Sequence, residues 1–161
     1  MATAHHEQTE ELSLSKAAEY LLEECRMVLP GIQALFGFQL IAVFNSTFDQ
    51  KLSAAEQELH LAAIAFVAVA VALVMTPAAY HRRVGERVVT ERFLRISTRL
   101  LLWSMMPLAV GICIDFYLIA RIILDGVVAP LLAVALLAIF ILFWFALPRT
   151  EALKRLISKR Y

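Results

Sequence analysis

Four stretches of the sequence are apolar over about 20 residues, which is the length that a helix needs to cross the hydrocarbon core of a bilayer. They cover residues 28–48, 59–80, 100–124 and 127–147. Lipid offers no hydrogen-bond partners, so a segment that spans it must satisfy its backbone internally, as a helix does. The pattern therefore predicts an all-α, polytopic membrane protein whose transmembrane domain of four helices covers residues 28–148.

Two segments outside these spans also have a helical pattern. In the predicted cytoplasmic N-terminal segment, residues 1–27, apolar positions recur at helical spacing: Leu14, Ala17, Ala18, Leu21, Leu22 and Cys25. This pattern predicts an amphipathic surface helix before the chain turns at Pro30-Gly31. A similar stripe before the third span predicts a cytoplasmic extension of that helix, beginning at about Glu86. Residues 149–161 are expected to form a basic cytoplasmic tail.

Lysine and arginine are distributed very unevenly between the two sides of this predicted topology. Of the 15 lysines and arginines, only Lys51 and Arg121 lie on the same side of the membrane as the loop between the first two spans. Cytoplasmic segments of membrane proteins carry the excess of positive charge. Both termini are therefore predicted to be cytoplasmic, together with a basic cluster between the second and third spans: Arg82, Arg83, Arg87, Arg92, Arg95 and Arg99.

The composition argues against several classes of function. The formal net charge is only +1, so nothing indicates a nucleic-acid partner. Cys25 and Cys113 are far apart and suggest neither a disulfide framework nor a zinc site. The sequence has no HExxH metal motif, no phosphate-binding glycine loop, no nucleophile motif and no paired catalytic carboxylates. We therefore expect no enzyme activity, no metal and no cofactor.

Asp115 is the most informative single residue, because it lies within the third predicted span. Counted from Arg99, it is about 24 Å along the helix axis, in the outer half of the bilayer. An ionised carboxylate at depth costs at least ~2.5 kcal/mol and usually faces a bundle interior or a hydrated cavity. One interpretation is a proton or cation site. The other is a buried structural carboxyl that is hydrogen-bonded to a neighbouring helix.

The polar partners of Asp115 are expected on the first span and on its own helix. Ser104, Gly111 and Asp115 share an arc of about 40° at 100° per residue. On the first span, Gln33 and Asn45 share an arc with Gly37, whereas Gln39 points elsewhere. The candidate intramembrane polar site is accordingly a set of five residues: Asp115, Asn45, Gln33, Gln39 and Ser104.

The remaining features of the spans are expected to be structural. The second span is rich in alanine (Ala62, Ala65, Ala68 and Ala72), which predicts a face for close helix packing. His60 and His81, at its two ends, are expected to lie at the membrane interfaces. The fourth span has no polar side chain between Pro130 and Pro148, so we expect it to face lipid or another copy of the chain.

Two segments resemble a known family. They are ECRMVLPGIQALFGFQLIAVFNSTF, from Glu24 to Phe48, and MTPAAYHRR, at residues 75–83. Both are similar to segments of small four-helix bacterial membrane proteins grouped as a domain of unknown function, some of which are labelled sodium:proton antiporters. The resemblance implies a location in the bacterial inner membrane, and it supplies no binding or catalytic residues. Secondary transporters are usually built from repeats and broken helices, and no internal repeat occurs here.

The sequence is compatible with two functions from different classes. In the first, the protein is a small ion transport-related unit, for protons or cations, centred on Asp115. In the second, it is a non-catalytic membrane scaffold or partner subunit whose polar residues are structural. The expected partners are the lipid bilayer and, in an oligomer, further copies of the chain.

Overall fold

The computed structural model describes residues 13–84, 90–124 and 126–149, with the backbone alone for Arg83, Val84 and Arg149. These residues form five α-helices: α1 (Leu14–Val43), α2 (Ser46–Lys51), α3 (Ala54–Val84), α4 (Glu91–Ile123) and α5 (Val128–Ile141). A π-helical turn, Leu142–Ala146, and a 3₁₀ turn, Leu147–Arg149, follow α5.

Four of these helices are long and apolar enough to cross a membrane, over Leu14–Val43, Ala54–Arg82, Glu91–Ile123 and Val128–Ala146. The predicted all-α fold with four transmembrane helices is confirmed, and the chain is a multi-pass membrane protein. The helices run alternately up and down. The end of the bundle that carries α2 and the α4–α5 turn is called the hairpin end below, and the opposite end is called the terminal end.

Short connections at the hairpin end have clear local causes. The side chain of Asn45 accepts a hydrogen bond from the Thr47 backbone N–H at 2.9 Å and caps α2. Asparagine favours such caps over helix interiors, so α1 ends at Val43 and does not continue to Phe48 as predicted. At the other connection Gly126 has a φ of +75°, a conformation that glycine adopts without steric cost.

Buried positions recur every seven residues along the packed helices. On α1 they include Ala18, Cys25, Ile32 and Gln39, and on α4 they include Ser97, Ser104, Gly111 and Leu118. On α3 the buried positions alternate by three and four residues: Glu56, His60, Ala63, Val67, Ala70, Val74 and Pro77. Residues seven apart lie two turns apart on nearly the same side of a helix. α3 packs against both α1 and α4, and these three helices form the core.

The predicted turn at Pro30-Gly31 is wrong, because α1 is one helix from Leu14 to Val43 with Pro30 inside it. The proline leaves one carbonyl oxygen without its intrahelical partner, and this alone does not end a helix whose packing continues. Here Cys25 and Ile32 lie on the same buried face on either side of the proline and pack with Val67 and Val74 of α3.

Two further expectations about the helices are corrected. α4 begins at Glu91, capped by the Thr90 side chain, and not at about Glu86. The alanines predicted to form the packing face of α3 do not form it, since Ala65, Ala68 and Ala72 are exposed and Ala62 is half-buried. The packing face instead contains Ala63, Val67, Ala70 and Val74, so it mixes alanine with valine.

α5 contacts α4 and is otherwise almost entirely exposed. Ala129 is its one buried residue in the described chain, whereas Val134, Ile139 and Ile141 are exposed. The absence of polar side chains on α5 predicted such a helix, facing lipid or another copy of the chain.

Candidate functional site

Gly111 lets α3 and α4 approach closely just before the candidate aspartate. A Cβ atom at this position would lie 2.9 Å from Cγ2 of Val67 and 3.1 Å from the carbonyl oxygen of Ala63. The missing side chain therefore brings the two helices together, as small residues commonly do at helix interfaces in membranes. Asp115 lies about one turn beyond Gly111, so its carboxylate reaches the beginning of α3.

Polar side chains of three helices meet at Asp115. Gln39 of α1 donates a hydrogen bond from Nε2 to Oδ2 of Asp115 at 2.6 Å. His60 of α3 has its Nδ1 at 2.9 Å from Oδ1 of Asp115 and its Nε2 at 3.0 Å from the backbone carbonyl oxygen of Gln39. These contacts form a closed set between α1, α3 and α4. We call Gln39, His60 and Asp115 the polar triad.

The polar triad is well shielded from the surroundings of the bundle. Gln39 is 3% exposed and His60 is 7% exposed, and the side chain of Asp115 is 16% exposed. The ring of Phe48 packs edge-on against His60, with the ring centroids 5.3 Å apart. Oε1 of Gln39 is buried without a hydrogen-bond partner in the described residues, an arrangement that costs about 1–3 kcal/mol.

Two cavities adjoin the polar triad near the hairpin end. The first, of about 350 Å³, is bordered by all three triad residues and otherwise mainly by apolar side chains of α1 and α4, such as Phe38 and Ile122. The second, of about 380 Å³, lies between the α1–α2 region and α3 and includes Gln57 and Glu58. His60 and Phe48 line both cavities. His60 therefore has space on two sides.

The profile of a family of unknown function, DUF6328, matches residues 7–148. The chain belongs to this family. The resemblance inferred from the sequence is thereby confirmed. The description of DUF6328 assigns no activity to its members. No curated protein and no solved structure is significantly similar to the chain.

The structure of this DUF6328 member separates the five residues of the candidate polar site. Asp115 and Gln39 are hydrogen-bonded, whereas Gln33 is exposed on the far side of α1. Asn45 caps α2 and borders the first cavity without a hydrogen bond to Asp115. Ser104 is buried, and its hydroxyl donates to the Leu101 carbonyl oxygen at 2.6 Å, one turn back on its own helix.

His60 belongs to the polar triad but was not predicted from the sequence, which placed it at the membrane interface. It is buried and forms two contacts within the triad. A signal was present in the spacing, since His60 precedes Ala63 and Val67 by three and seven residues. A histidine in register with the packing face of a transmembrane helix points into the bundle.

Arg121 forms its ion pair with a carboxylate other than Asp115. Its Nε lies 2.9 Å from Oε1 of Glu56 on α3, and its Nη1 donates to the Tyr117 hydroxyl at 3.4 Å. The Glu56 carboxylate also accepts hydrogen bonds from the backbone N–H and the hydroxyl of Ser53. A charged guanidinium is thus held at the hairpin end by Glu56, and the side-chain partners of Asp115 among the described residues are Gln39 and His60.

The basic cluster lies at the terminal end, distant from the triad. Arg82 is exposed near the end of α3, and Arg92, Arg95 and Arg99 are exposed on the first turns of α4. Arg87 and the side chain of Arg83 lie outside the described residues. Within the described part of the chain, no group of three or more His, Cys, Asp and Glu side chains is arranged to hold a metal ion.

Proposed function

We propose that this protein is a small proton transport-related unit of the bacterial inner membrane, with the pair His60–Asp115 as its proton-binding site. In this proposal both termini are cytoplasmic, the hairpin end faces outward, and the protein is not an enzyme. The proposal specifies the ion as a proton because the triad contains an imidazole and a carboxyl group, the two groups that most commonly exchange protons in membrane pumps and transporters.

The observation that supports the proposal is that both ring nitrogens of His60 lie against oxygen atoms. Nδ1 is 2.9 Å from the Asp115 carboxyl group, and Nε2 is 3.0 Å from the Gln39 carbonyl oxygen. A neutral imidazole has a single N–H, so it satisfies only one of these contacts. The second contact requires one more proton, either on the imidazole or on the carboxyl group. The pair therefore holds one exchangeable proton.

The side chain of Gln39 suits both states of the carboxyl group. When Asp115 is ionised, the amide N–H donates to it, which is the arrangement described above. When the proton lies on Oδ1 and is donated to Nδ1 of His60, Oδ2 remains an acceptor and the amide N–H continues to donate to it. The hydrogen bond from Gln39 is therefore kept whichever member of the pair carries the proton.

The second cavity supplies a route for protons from the hairpin end. Gln57 and Glu58 line it together with His60; Glu58 is exposed and Gln57 is half-buried. His60 separates this cavity from the one that borders Asp115. A proton that arrives at His60 from the hairpin end thus passes directly to the carboxylate. In a single chain the buried residues described in the terminal half are apolar apart from Ser97 and Ser104, so we propose that the path continues in an assembly of several copies.

The experiment is a proton-flux assay with the purified full-length protein in liposomes that contain a pH-sensitive dye. With an imposed pH gradient, the wild-type protein is expected to collapse the gradient several-fold faster than liposomes without protein. Asp115→Asn and His60→Gln should return the rate to background. Asp49→Asn is the matched control, because Asp49 is an exposed carboxylate at the same end and should leave the rate unchanged. Wild-type flux at background, or full flux in Asp115→Asn, would overturn the proposal.

A scaffold or partner subunit is the second candidate, and one observation favours it. The hydrogen bonds of the triad connect α1, α3 and α4, so they stabilise the bundle whether or not a proton moves. Polar contacts between membrane helices contribute about 0.6–1.7 kcal/mol in double-mutant cycles. A cycle of Asp115→Asn and His60→Gln, followed by reversible unfolding in detergent, would measure this coupling. If the coupling energy falls in that range and the wild-type protein shows only background flux, the result would support the scaffold function.

A further inference from the structure

A cleft lies between α4 and the end of α5, at the terminal end of the bundle. Its volume is about 690 Å³, and apolar and aromatic side chains form most of its walls: Trp103, Met106, Ile141, Trp144 and Phe145. Arg99 is the charged residue on its lining. Arg99 and Met106 are seven residues apart, so the cleft extends about 10 Å along α4 from a cation into apolar surroundings.

The face of α4 that borders the cleft changes character along the helix. Arg92, Arg95 and Arg99 come first, then Trp103, and then Met106, all within an arc of about 80° at 100° per residue. All five are exposed, and Trp103 is exposed to 67%. Guanidinium groups followed by an indole and then by apolar side chains match the sequence of layers from headgroup to hydrocarbon.

The three arginines of this stripe are without partners among the described residues. The two ion pairs among all described residues join His60 to Asp115 and Arg121 to Glu56, and neither involves an arginine of the stripe. Arg92, Arg95 and Arg99 therefore present uncompensated positive charge at the membrane surface beside an apolar cleft. An occupant that matches both features carries negative charge at one end and a hydrocarbon chain at the other.

We propose that this cleft binds one anionic phospholipid. An acyl chain lies between Trp103 and Met106 on one side and Ile141 and Trp144 on the other, and the phosphate lies at Arg99 and Arg95. Basic pockets between transmembrane helices on the cytoplasmic side are known to suit such headgroups. The site lies at the opposite end of the bundle from Asp115 and does not depend on proton chemistry there.

The charge of the stripe is the reason to choose a lipid over a second copy of the chain. A helix of another copy would fill the apolar part of the cleft, but it would leave the arginines beside it uncompensated. An anionic lipid fills the cleft and neutralises the nearest guanidinium groups at the same time. Experiment can distinguish a second copy of the chain from a lipid in the cleft, because a second copy would change the oligomeric state of the protein.

The test is native mass spectrometry of the delipidated full-length protein in neutral detergent, titrated with dioleoyl phosphatidylglycerol. Dioleoyl phosphatidylcholine, with the same acyl chains, should bind at least several-fold more weakly. Arg99→Gln should weaken binding of the anionic lipid roughly fivefold, the effect of one cation near an anionic headgroup. Arg82→Gln is the matched control, since Arg82 is an exposed arginine at the same end but outside the cleft, and it should change binding less than twofold.

Two further measurements keep the test decisive. Inorganic phosphate alone, added at the same concentrations, should not compete, because it cannot occupy the apolar part of the cleft. If Arg99→Gln fails to fold by circular dichroism, Arg95→Gln takes its place with the same expected direction. Equal binding of both lipids would overturn the proposal, as would an equal loss in Arg82→Gln. Dimers that form without bound lipid would assign the cleft to a second copy and overturn it as well.

Discussion

At the scale of single residues, the position of His60 along α3 matters as much as its identity. Phe48 covers one face of the imidazole, and its two nitrogens contact α1 and α4. Moving the histidine by one position along α3 would turn it by about 100° and out of the bundle. The triad therefore depends on register as much as on composition.

Gly111 provides the sharpest test of packing at this scale. Gly111→Ala should destabilise the protein by about 1–3 kcal/mol, as overpacking of a close contact does. The new Cβ would meet Val67 at 2.9 Å and the Ala63 backbone at 3.1 Å. Reversible unfolding in detergent would measure the loss. The free energy of unfolding should be partly restored by adding Val67→Ala, which removes the nearer of the two contacts.

Gly37→Ala is the matched control for this prediction. No atom lies within 4 Å of a Cβ built at Gly37, and alanine favours a helix interior by up to about 1 kcal/mol over glycine. The control variant should therefore be neutral or slightly more stable than the wild-type protein. Equal losses of stability at Gly37 and Gly111 would contradict the assignment of Gly111 to the contact between α3 and α4.

At the scale of elements, α1 is the helix whose course was least expected. Its N-terminal part has the composition of a surface helix, and its C-terminal part that of a membrane span. The shared buried face joins them, because Ala18 and Cys25 lie in line with Ile32 and Gln39. Packing on α3 thus continues past Pro30, and the lost backbone hydrogen bond is tolerated.

The continuity of α1 predicts a distance that can be measured. Tyr20 and Phe38 are both exposed on this helix, at 55% and 71%, and 18 residues of helix place them about 27 Å apart along the axis. Spin labels at these two positions, in a variant with Cys25 and Cys113 replaced by serine, should give a narrow distribution near that value. A turn at Pro30-Gly31 would shorten the distance markedly and broaden the distribution, and this result would refute a continuous helix.

At the scale of the whole molecule, the arrangement of charges and of the triad makes the two ends of the bundle different. The terminal end carries the exposed arginines of α3 and α4, and the hairpin end carries α2 and the ion pair between Glu56 and Arg121. The triad and both cavities that adjoin it are close to the hairpin end. Orientation in the membrane therefore decides from which side a proton or ligand reaches Asp115.

The positive-inside rule predicts that orientation. A cysteine at Gln50, which is exposed on α2, should react with a membrane-impermeant thiol reagent added to intact cells. A reporter fused after Tyr161 should have cytoplasmic activity. The wild-type protein is the control for labelling, because Cys25 and Cys113 are both buried. Labelling of the cysteine at position 50 only in inverted vesicles would reverse the topology and move the proposed entry for protons to the cytoplasm.

The sequence alone determined the class of the protein, because the features that define a membrane span are local. The number of membrane spans and the family follow from apolar runs and from the two segments that carry the resemblance, and one carboxylate at depth predicted a polar site at Asp115. The expectation that Asp115 meets an amide of the first helix also rested on local geometry. Each of these needs only the length and composition of one segment at a time.

The tertiary structure decided which polar groups meet. A helical wheel gives the angles between side chains on one straight helix, but not which side of it turns inward. Gln39 is one of the candidate site residues but does not share an arc with Gln33 and Asn45, and it is the amide that contacts Asp115. The reason is packing: the apolar face that includes Ile32 turns toward α3, and Gln39 lies on that face. Hydrogen bonds between distant parts of the chain depend on which face of each helix packs inward.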